Sequence, residues 1–281
     1  MMGMTMKRKC LQIFTYIIIS IGAILMLLPF VWMISTSLKE PLTVYEIPIR
    51  WIPEVFKVEN YKRLFTDYNF GLYIFNSIKI CILNILGNVI SCSLVAYGFS
   101  FCKHRYKNKI FVLLLATMML PGVVTFFPQF ILFNYMGWYG TTLPLWVPAF
   151  TGSAFYIFLL RQFFLTIPSE LIDAAKMDGC SDIKILFNIV LPMSKPALMV
   201  IVIYNFMAVW NDFFGPLIYI IKEEQRTVAV ALNYLKSTYE GTSSIPITMA
   251  ASVLLIIPSL LIYFFGQSYV SRGIVFKGVE K

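Results

Sequence analysis

Charge is scarce in this chain. Of its 281 residues only 13% are Asp, Glu, Lys or Arg, against about 25% in a typical soluble domain. Histidine occurs once, as His104, which excludes a His-based metal cluster and the two-histidine motif of zinc proteases. The five cysteines, Cys10, Cys81, Cys92, Cys102 and Cys180, lack metal-ligand spacing. A phosphate-cradling loop is missing too. Gly273 and Gly278 stand at the right interval, but Val279-Glu280 follows where Lys-Ser/Thr is needed. No internal repeat, low-complexity tract or linker splits off a second domain. The chain therefore reads as a non-enzyme with no implied cofactor or metal, unable to hydrolyse ATP itself.

Apolar residues fill the gap. The chain is 59% hydrophobic and 16% aromatic, with a mean hydropathy of +0.76. Several stretches exceed the roughly 20 residues a helix needs to cross a hydrocarbon core. The expectation is an all-α, polytopic membrane protein with six transmembrane helices, at about 11–34, 75–101, 110–134, 142–160, 197–220 and 247–266. The whole chain, 1–281, is expected to form a single transmembrane domain. Lys7-Arg8-Lys9 followed by an apolar run imitates a signal peptide. However, the run Leu11–Ile34 is 24 residues, too long for a signal core, and no small-x-small site follows, so it reads as a retained first span.

A net charge of +9 would suggest nucleic acid if its location were ignored. With the N-terminus inside, the inner segments carry 14 basic and five acidic residues, and the outer ones eight of each. The loop with Lys103, Arg105, Lys107 and Lys109 contains no acid. The excess is an orientation signal that places both termini in the cytoplasm, with the bilayer and no nucleic acid as partner. No cysteine falls outside, so no disulfide framework is implied. Outer segment 35–74 has prolines at 41, 48 and 53, which argue against one continuous helix. It and the polar segment 221–246 are either solvated connectors or contact surfaces for an external partner.

Between the fourth and fifth spans lies a polar loop, 161–196. Ser169 is expected to cap a helix, with Glu170 near its positive end. Leu171, Ala174, Ala175 and Asp178 follow at offsets of three, four and seven and share a face. Asp178-Gly179 closes that helix, because glycine accepts the left-handed conformation. Ser181 caps a second helix bearing Ile185, Leu186 and Ile189, which Leu191-Pro192 is expected to stop. The product is a helix–turn–helix at the membrane surface. By physics alone it is either an amphipathic hairpin without a partner or a docking element. In the docking reading Ala174 and Ala175 permit close approach, and Asp173 suits basic groups opposite.

The spacing of Asp173, Ala174, Ala175, Asp178, Gly179, Phe187, Ile189, Leu191, Pro192 and Pro196 resembles the coupling loop of ABC-importer permeases. Asp173 stands where that family usually has Glu, and Cys180 where Ala is common. Three further stretches resemble permeases of carbohydrate importers: Pro29 to Lys39, Trp210 to Leu217, and Tyr269 to Val279. Together they are similar to the smaller permease subunit of maltose-type transporters. The resemblance implies a multi-pass subunit in the cytoplasmic membrane of a prokaryote. It implies a second homologous permease, two cytoplasmic ATPase subunits, an extracytoplasmic solute-binding protein and a sugar substrate. Glu170, Asp173, Ala174, Ala175, Asp178, Gly179, Leu191 and Pro192 would then contact the ATPase. By the same analogy Arg272, Gly273, Lys277 and Gly278, in the tail 267–281, would reach between the ATPase subunits. The other reading of that tail is a basic segment on anionic headgroups. Alternating access follows, with ATP and the loaded binding protein both favouring the outward-facing state.

Trp210, Asn211 and Asp212 are the candidate path residues. Asp212 is the lone acid within a drawn span, and a carboxylate there should face the bundle interior, water or a partner. Asn211 offers both donor and acceptor for sugar hydroxyls, and Trp210 an aromatic surface. The alternative is that they tie helices together. Lys79 reads as snorkelling to the interface, and Asn84 and Asn88 as inward-facing. Glycerol phosphate or another small solute is the alternative cargo. A self-contained secondary transporter is the rival class, which would show paired broken helices in repeated halves and several intramembrane ionisable residues.

Overall fold

The computed structural model describes residues 6–238 and 245–274, and every described regular element is helical. In chain order these are α1 (Met6–Ser37), α2 (Glu59–Thr66), α3 (Phe70–Phe101), α4 (Lys107–Thr117), α5 (Gly122–Tyr135), α6 (Leu143–Trp146) and α7 (Ala154–Phe164). They continue with α8 (Ser169–Met177), α9 (Asp182–Ile185), α10 (Leu191–Met193), α11 (Lys195–Trp210), α12 (Phe214–Tyr219), α13 (Val228–Thr238) and α14 (Ile245–Ile274). The chain divides into two compact units. One takes Met1–Phe70 and Leu232–Ile257, the other Gly71–Ala231 and Pro258–Lys281.

Four stretches are long and apolar enough to cross a membrane: Leu11–Ser37, Phe70–Phe101, Leu143–Phe164 and Ile245–Tyr269. The expected third and fifth spans are not single helices. The third breaks into α4 and α5 at a 95° bend, where Pro121 disfavours helix at the residue before it. The fifth ends at Trp210 and restarts at Phe214. Segment 221–246, read from sequence as either a solvated connector or a partner-contact surface, contains α13, whose Val228, Val230, Ala231 and Leu235 are buried.

In the first unit, α1 is exposed along most of its length but buries its C-terminal end. Ser35, Thr36, Ser37 and Lys39 are all under 9% exposed. Segment 51–61 covers them. Ser35 Oγ donates to the Trp51 carbonyl, Asn60 Nδ2 to the Ser37 and Lys39 carbonyls at 2.9 and 3.0 Å, and Ser37 and Tyr61 share a hydroxyl bond of 2.7 Å. Lys39 Nζ lies 4.2 Å from the Trp32 ring centroid. A helix end buried this way needs such partners, since its last carbonyls have none within the helix.

In the second unit, α3 carries a polar stripe that serves irregular backbone. Asn84 Nδ2 donates to the Leu145 carbonyl at 2.7 Å, and Ser91 Oγ to the Ala149 carbonyl at 3.0 Å. Both carbonyls lie in or beside the 3₁₀ turn Val147–Thr151. Asn88 Nδ2 bonds Asn84 Oδ1 at 2.9 Å, which holds the stripe together. The two Asn residues thus face inward and support packing. Beyond the two breaks, α5 meets α12 through aromatic rings. Phe126 lies 5.0 Å from Phe214, and Phe130 and Phe133 lie 6.0 and 5.8 Å from Tyr219.

Candidate functional site

Residues 169–193 form the expected hairpin, and its segment 182–193 meets α11 at 81°. Its first helix starts one residue off expectation. Pro168 takes the N-cap place with extended backbone and no side-chain cap bond, so Ser169 is already helical and caps nothing. Glu170 stays in the first turn and Lys176 in the last, each complementing the helix dipole.

Gly179 closes the turn as expected, at φ +75°. Its N–H donates to the Lys176 carbonyl and that of Cys180 to the Ala175 carbonyl, both at 3.0 Å. That pair of bonds is the Schellman closure, which satisfies helix-end carbonyls through a left-handed residue. Ser181 Oγ accepts from the Lys184 N–H at 3.4 Å, the expected cap of the second helix.

Leu191-Pro192 does not stop that helix. The chain stays helical to Met193 by passing through a π turn, Leu186–Val190, in which the Leu191 N–H reaches the Leu186 carbonyl. In a regular α-helix the Pro192 ring would press on the carbonyl four residues back. The wider turn relieves it.

Ala174 and Ala175 do not form one open patch. Ala175 is buried with Ile172 in the core, while Ala174 is exposed. Ile172 and Ala175 are three apart and therefore own the inner face. Leu171, Ala174 and Asp178 own the outer one, with Glu170 and Asp173 also exposed. Five large apolar side chains stand out of this polar hairpin: Leu171, Met177, Ile183, Phe187 and Met193, at 44, 88, 65, 52 and 44% exposure. Sequence reading passed over Met177 and Ile183, because which side of so short a helix is covered depends on its neighbours.

The hairpin is braced from within. Ile172, Ala175, Ile185, Leu186 and Val190 belong to one buried cluster with α3, α7 and α11. Lys107 Nζ and Arg161 Nε donate to the Ser100 and Phe99 carbonyls at 3.2 and 3.3 Å. These two cations thus close the C-terminal end of α3 beside the hairpin.

The path candidates take different places. Trp210 is 1% exposed and stacks on Phe206 at 5.5 Å, so its indole is packed in the fold. Asn211 is exposed and ends α11, its Nδ2 returning to the Met207 carbonyl at 2.8 Å. Asp212 is part-buried, and its carboxylate binds the first turn of α12. Within the tail, Lys277 and Gly278 lie outside the described residues, and Arg272 and Gly273 are described only as the last turn of α14. No group of three or more His, Cys, Asp or Glu among the described residues is placed to hold a metal ion.

Comparison with known proteins gives the site its context. The profile of the family described as "Binding-protein-dependent transport system inner membrane component" matches residues 93–275. The lactose transport system permease protein LacG of Rhizobium radiobacter is 27% identical over 274 residues, covering 96% of this chain and 97% of the relative. The sn-glycerol-3-phosphate transport system permease protein UgpE of Yersinia enterocolitica is 30% identical over 280 residues, covering 96% and 98%. Among solved structures, a chain of a bacterial ABC transporter involved in the import of the acidic polysaccharide alginate matches with a TM-score of 0.86. That match is 23% identical and covers 96% of this chain and 99% of the other. At that identity the likeness concerns the fold alone.

Proposed function

This chain belongs to the family of binding-protein-dependent transport system inner membrane components; it is a multi-pass importer permease, and we propose that it carries a sugar or oligosaccharide, forms half of the translocation path and docks on a separate ATPase. The observation that carries the docking reading is the hairpin 169–193. It is polar, its segment 182–193 meets α11 at 81°, and it exposes Leu171, Met177, Ile183 and Phe187. Exposed apolar groups clustered in a polar element mark an interaction site. Glu170, Asp173, Ala174, Asp178 and Gly179 share that exposed surface. Leu191 and Pro192 act through the π turn that aims it.

In this reading α4 with α5 counts as one span and α11 with α12 as another. That makes six spans in one permease domain over 1–281, with both termini cytoplasmic, in a prokaryotic inner membrane. The break at Asn211–Phe213 is this chain's share of the path. Non-helical backbone at membrane depth is tolerated where it is buried in protein or lines a water-filled cavity. Asn211 offers donor and acceptor there, while Trp210 and Asp212 hold the break in shape. Arg272, Gly273, Lys277 and Gly278 reach toward the ATPase pair. Broken helices alone would also suit a secondary transporter, and membership of this family favours the importer.

Support for a sugar cargo comes from the lactose permease relative. The glycerol-phosphate relative, at 30% identity, favours a second reading in which the cargo is a glycerol phosphate. The decisive experiment is purification of this chain from its native membrane in mild detergent, with the co-purifying proteins identified. We expect a second permease, an ATPase, and a binding protein that joins on adding the cargo. A chain that emerges alone and moves solute in liposomes without ATP would overturn the importer reading.

A further inference from the structure

The hairpin and the long helix α3 meet at one carboxylate oxygen. Tyr97 Oη, on α3, donates to Asp182 Oδ1 at 2.9 Å. Lys176 Nζ, at the end of α8, stands 3.7 Å from the same oxygen. Asp182 opens α9, so both helices of the hairpin are tied to one point on α3.

The remaining contacts between them are of a different kind. Ile172, Ala175, Ile185 and Leu186 share one buried apolar cluster with Ala96 and Tyr97 of α3 and Phe164 of α7. Apolar burial is non-directional, so it holds the hairpin against α3 but lets it slide or turn. A hydrogen bond weakens steeply away from its preferred alignment and therefore fixes register. Tyr97 is well placed to transmit load. It is 5% exposed, its ring lies 5.3 Å from Phe101, and Phe101 stacks on Phe164 at 6.4 Å. Asp182 is different, because its side chain keeps 57% exposure. Water would satisfy that carboxylate without Tyr97. Solvation is thus not what the bond provides, and its consequence is position.

We propose that Tyr97 is a positioning residue for energy coupling: through Asp182 its hydroxyl keeps the hairpin in register with α3, so that displacement of the hairpin moves the span. This rests on the importer reading above. When the hydroxyl is removed, the hairpin still docks and ATP is still hydrolysed, but the span follows it less faithfully.

The test uses the complete importer complex in proteoliposomes. The probe is the first of lactose, maltose or sn-glycerol 3-phosphate that the parent complex accumulates. The readout is ATP hydrolysed per solute taken up, with the melting temperature of the complex measured alongside. Tyr97→Phe keeps the ring packing, and we expect it to raise ATP consumed per solute about fivefold, within what one bond to a charged acceptor supports, at little changed melting temperature. Asp182→Ala should raise the ratio at least as much, since it also frees Lys176 and leaves the buried Tyr97 hydroxyl without its acceptor, and the double variant should be no worse than Asp182→Ala alone. Asp182→Asn retains an acceptor oxygen and should fall between parent and alanine. A parent-like ratio in Tyr97→Phe, or additive losses in the double variant, would overturn the proposal. So would loss of the ATPase from the Tyr97→Phe complex, which would make the hydroxyl an assembly group. A parent complex that hydrolyses no ATP would instead remove the importer reading, and this proposal with it.

Discussion

Asp212 and Gly215 are locked together: Asp212 Oδ1 accepts from the Gly215 N–H at 3.2 Å, and a Cβ on Gly215 would lie 2.6 Å from Oδ2. The carboxylate works as a cap that restarts the helix after the break. Gly215→Ala is expected to push it aside and cost about 1 kcal/mol, the usual worth of such a cap. Asp212→Asn should cost less, because its amide oxygen still accepts. Thermal unfolding in detergent, followed by tryptophan fluorescence, checks both. Equal losses in the two variants would mean that charge, rather than capping, is what Asp212 supplies.

Gly179 separates strain from hydrogen bonding. Space for a Cβ is open there, so Gly179→Ala carries only the left-handed penalty of about 1–2 kcal/mol. Uptake should fall partially. Gly179→Pro also removes the N–H that bonds the Lys176 carbonyl and cannot adopt positive φ. Uptake should then be abolished with normal amounts of protein in the membrane fraction. Normal uptake by the proline variant would mean that the hairpin is not the coupling element.

Asn60 holds the end of α1. Its amide serves two carbonyls, those of Ser37 and Lys39, and the residue is 6% exposed. Asn60→Ala leaves both without this donor, at about 1–3 kcal/mol for each buried group left unpaired. Hydrogen exchange across 40–61 should speed up markedly while α3 stays protected.

Lys39 makes that segment pH-dependent. Burial pushes its ammonium below the ordinary lysine value, and Glu46 pulls part of the way back. The folded chain therefore releases this proton at lower pH than the unfolded chain. Between the two values the unfolded state binds more protons, so stability rises as pH climbs toward 10.5. Lys39→Met should flatten that rise, read as the urea midpoint of the segment at successive pH values. An unchanged slope would assign the titration to another group.

Much of the hairpin was legible because its signals are local. The Asp178-Gly179 closure and the Ser181 cap depend on residues within a few positions, and both formed as read. Ser169 missed its role by one residue because Pro168 took the cap place. Pro192 was read as a stop, and its ring was instead accommodated by a π turn that no neighbouring residue announces. Tyr97 carried no signal at all. A tyrosine inside an apolar run is ordinary, and its acceptor lies 85 positions away. The buried end of α1 shows both sides. The stretch Pro29 to Lys39 stood out as a motif, but its reason is the cover of segment 51–61.

By itself the sequence determined that this chain is helical, apolar and many times membrane-crossing, and where its polar hairpin lies. Those properties come from hydropathy summed over about 20 residues and from caps acting within one turn. Only the tertiary structure decided where two spans break, which alanine faces inward, that Asp212 caps a helix, and that Tyr97 meets Asp182. The inward alanine and the Tyr97 bond depend on groups distant in sequence that cover a face or supply a hydrogen bond, and no local pattern encodes those partners.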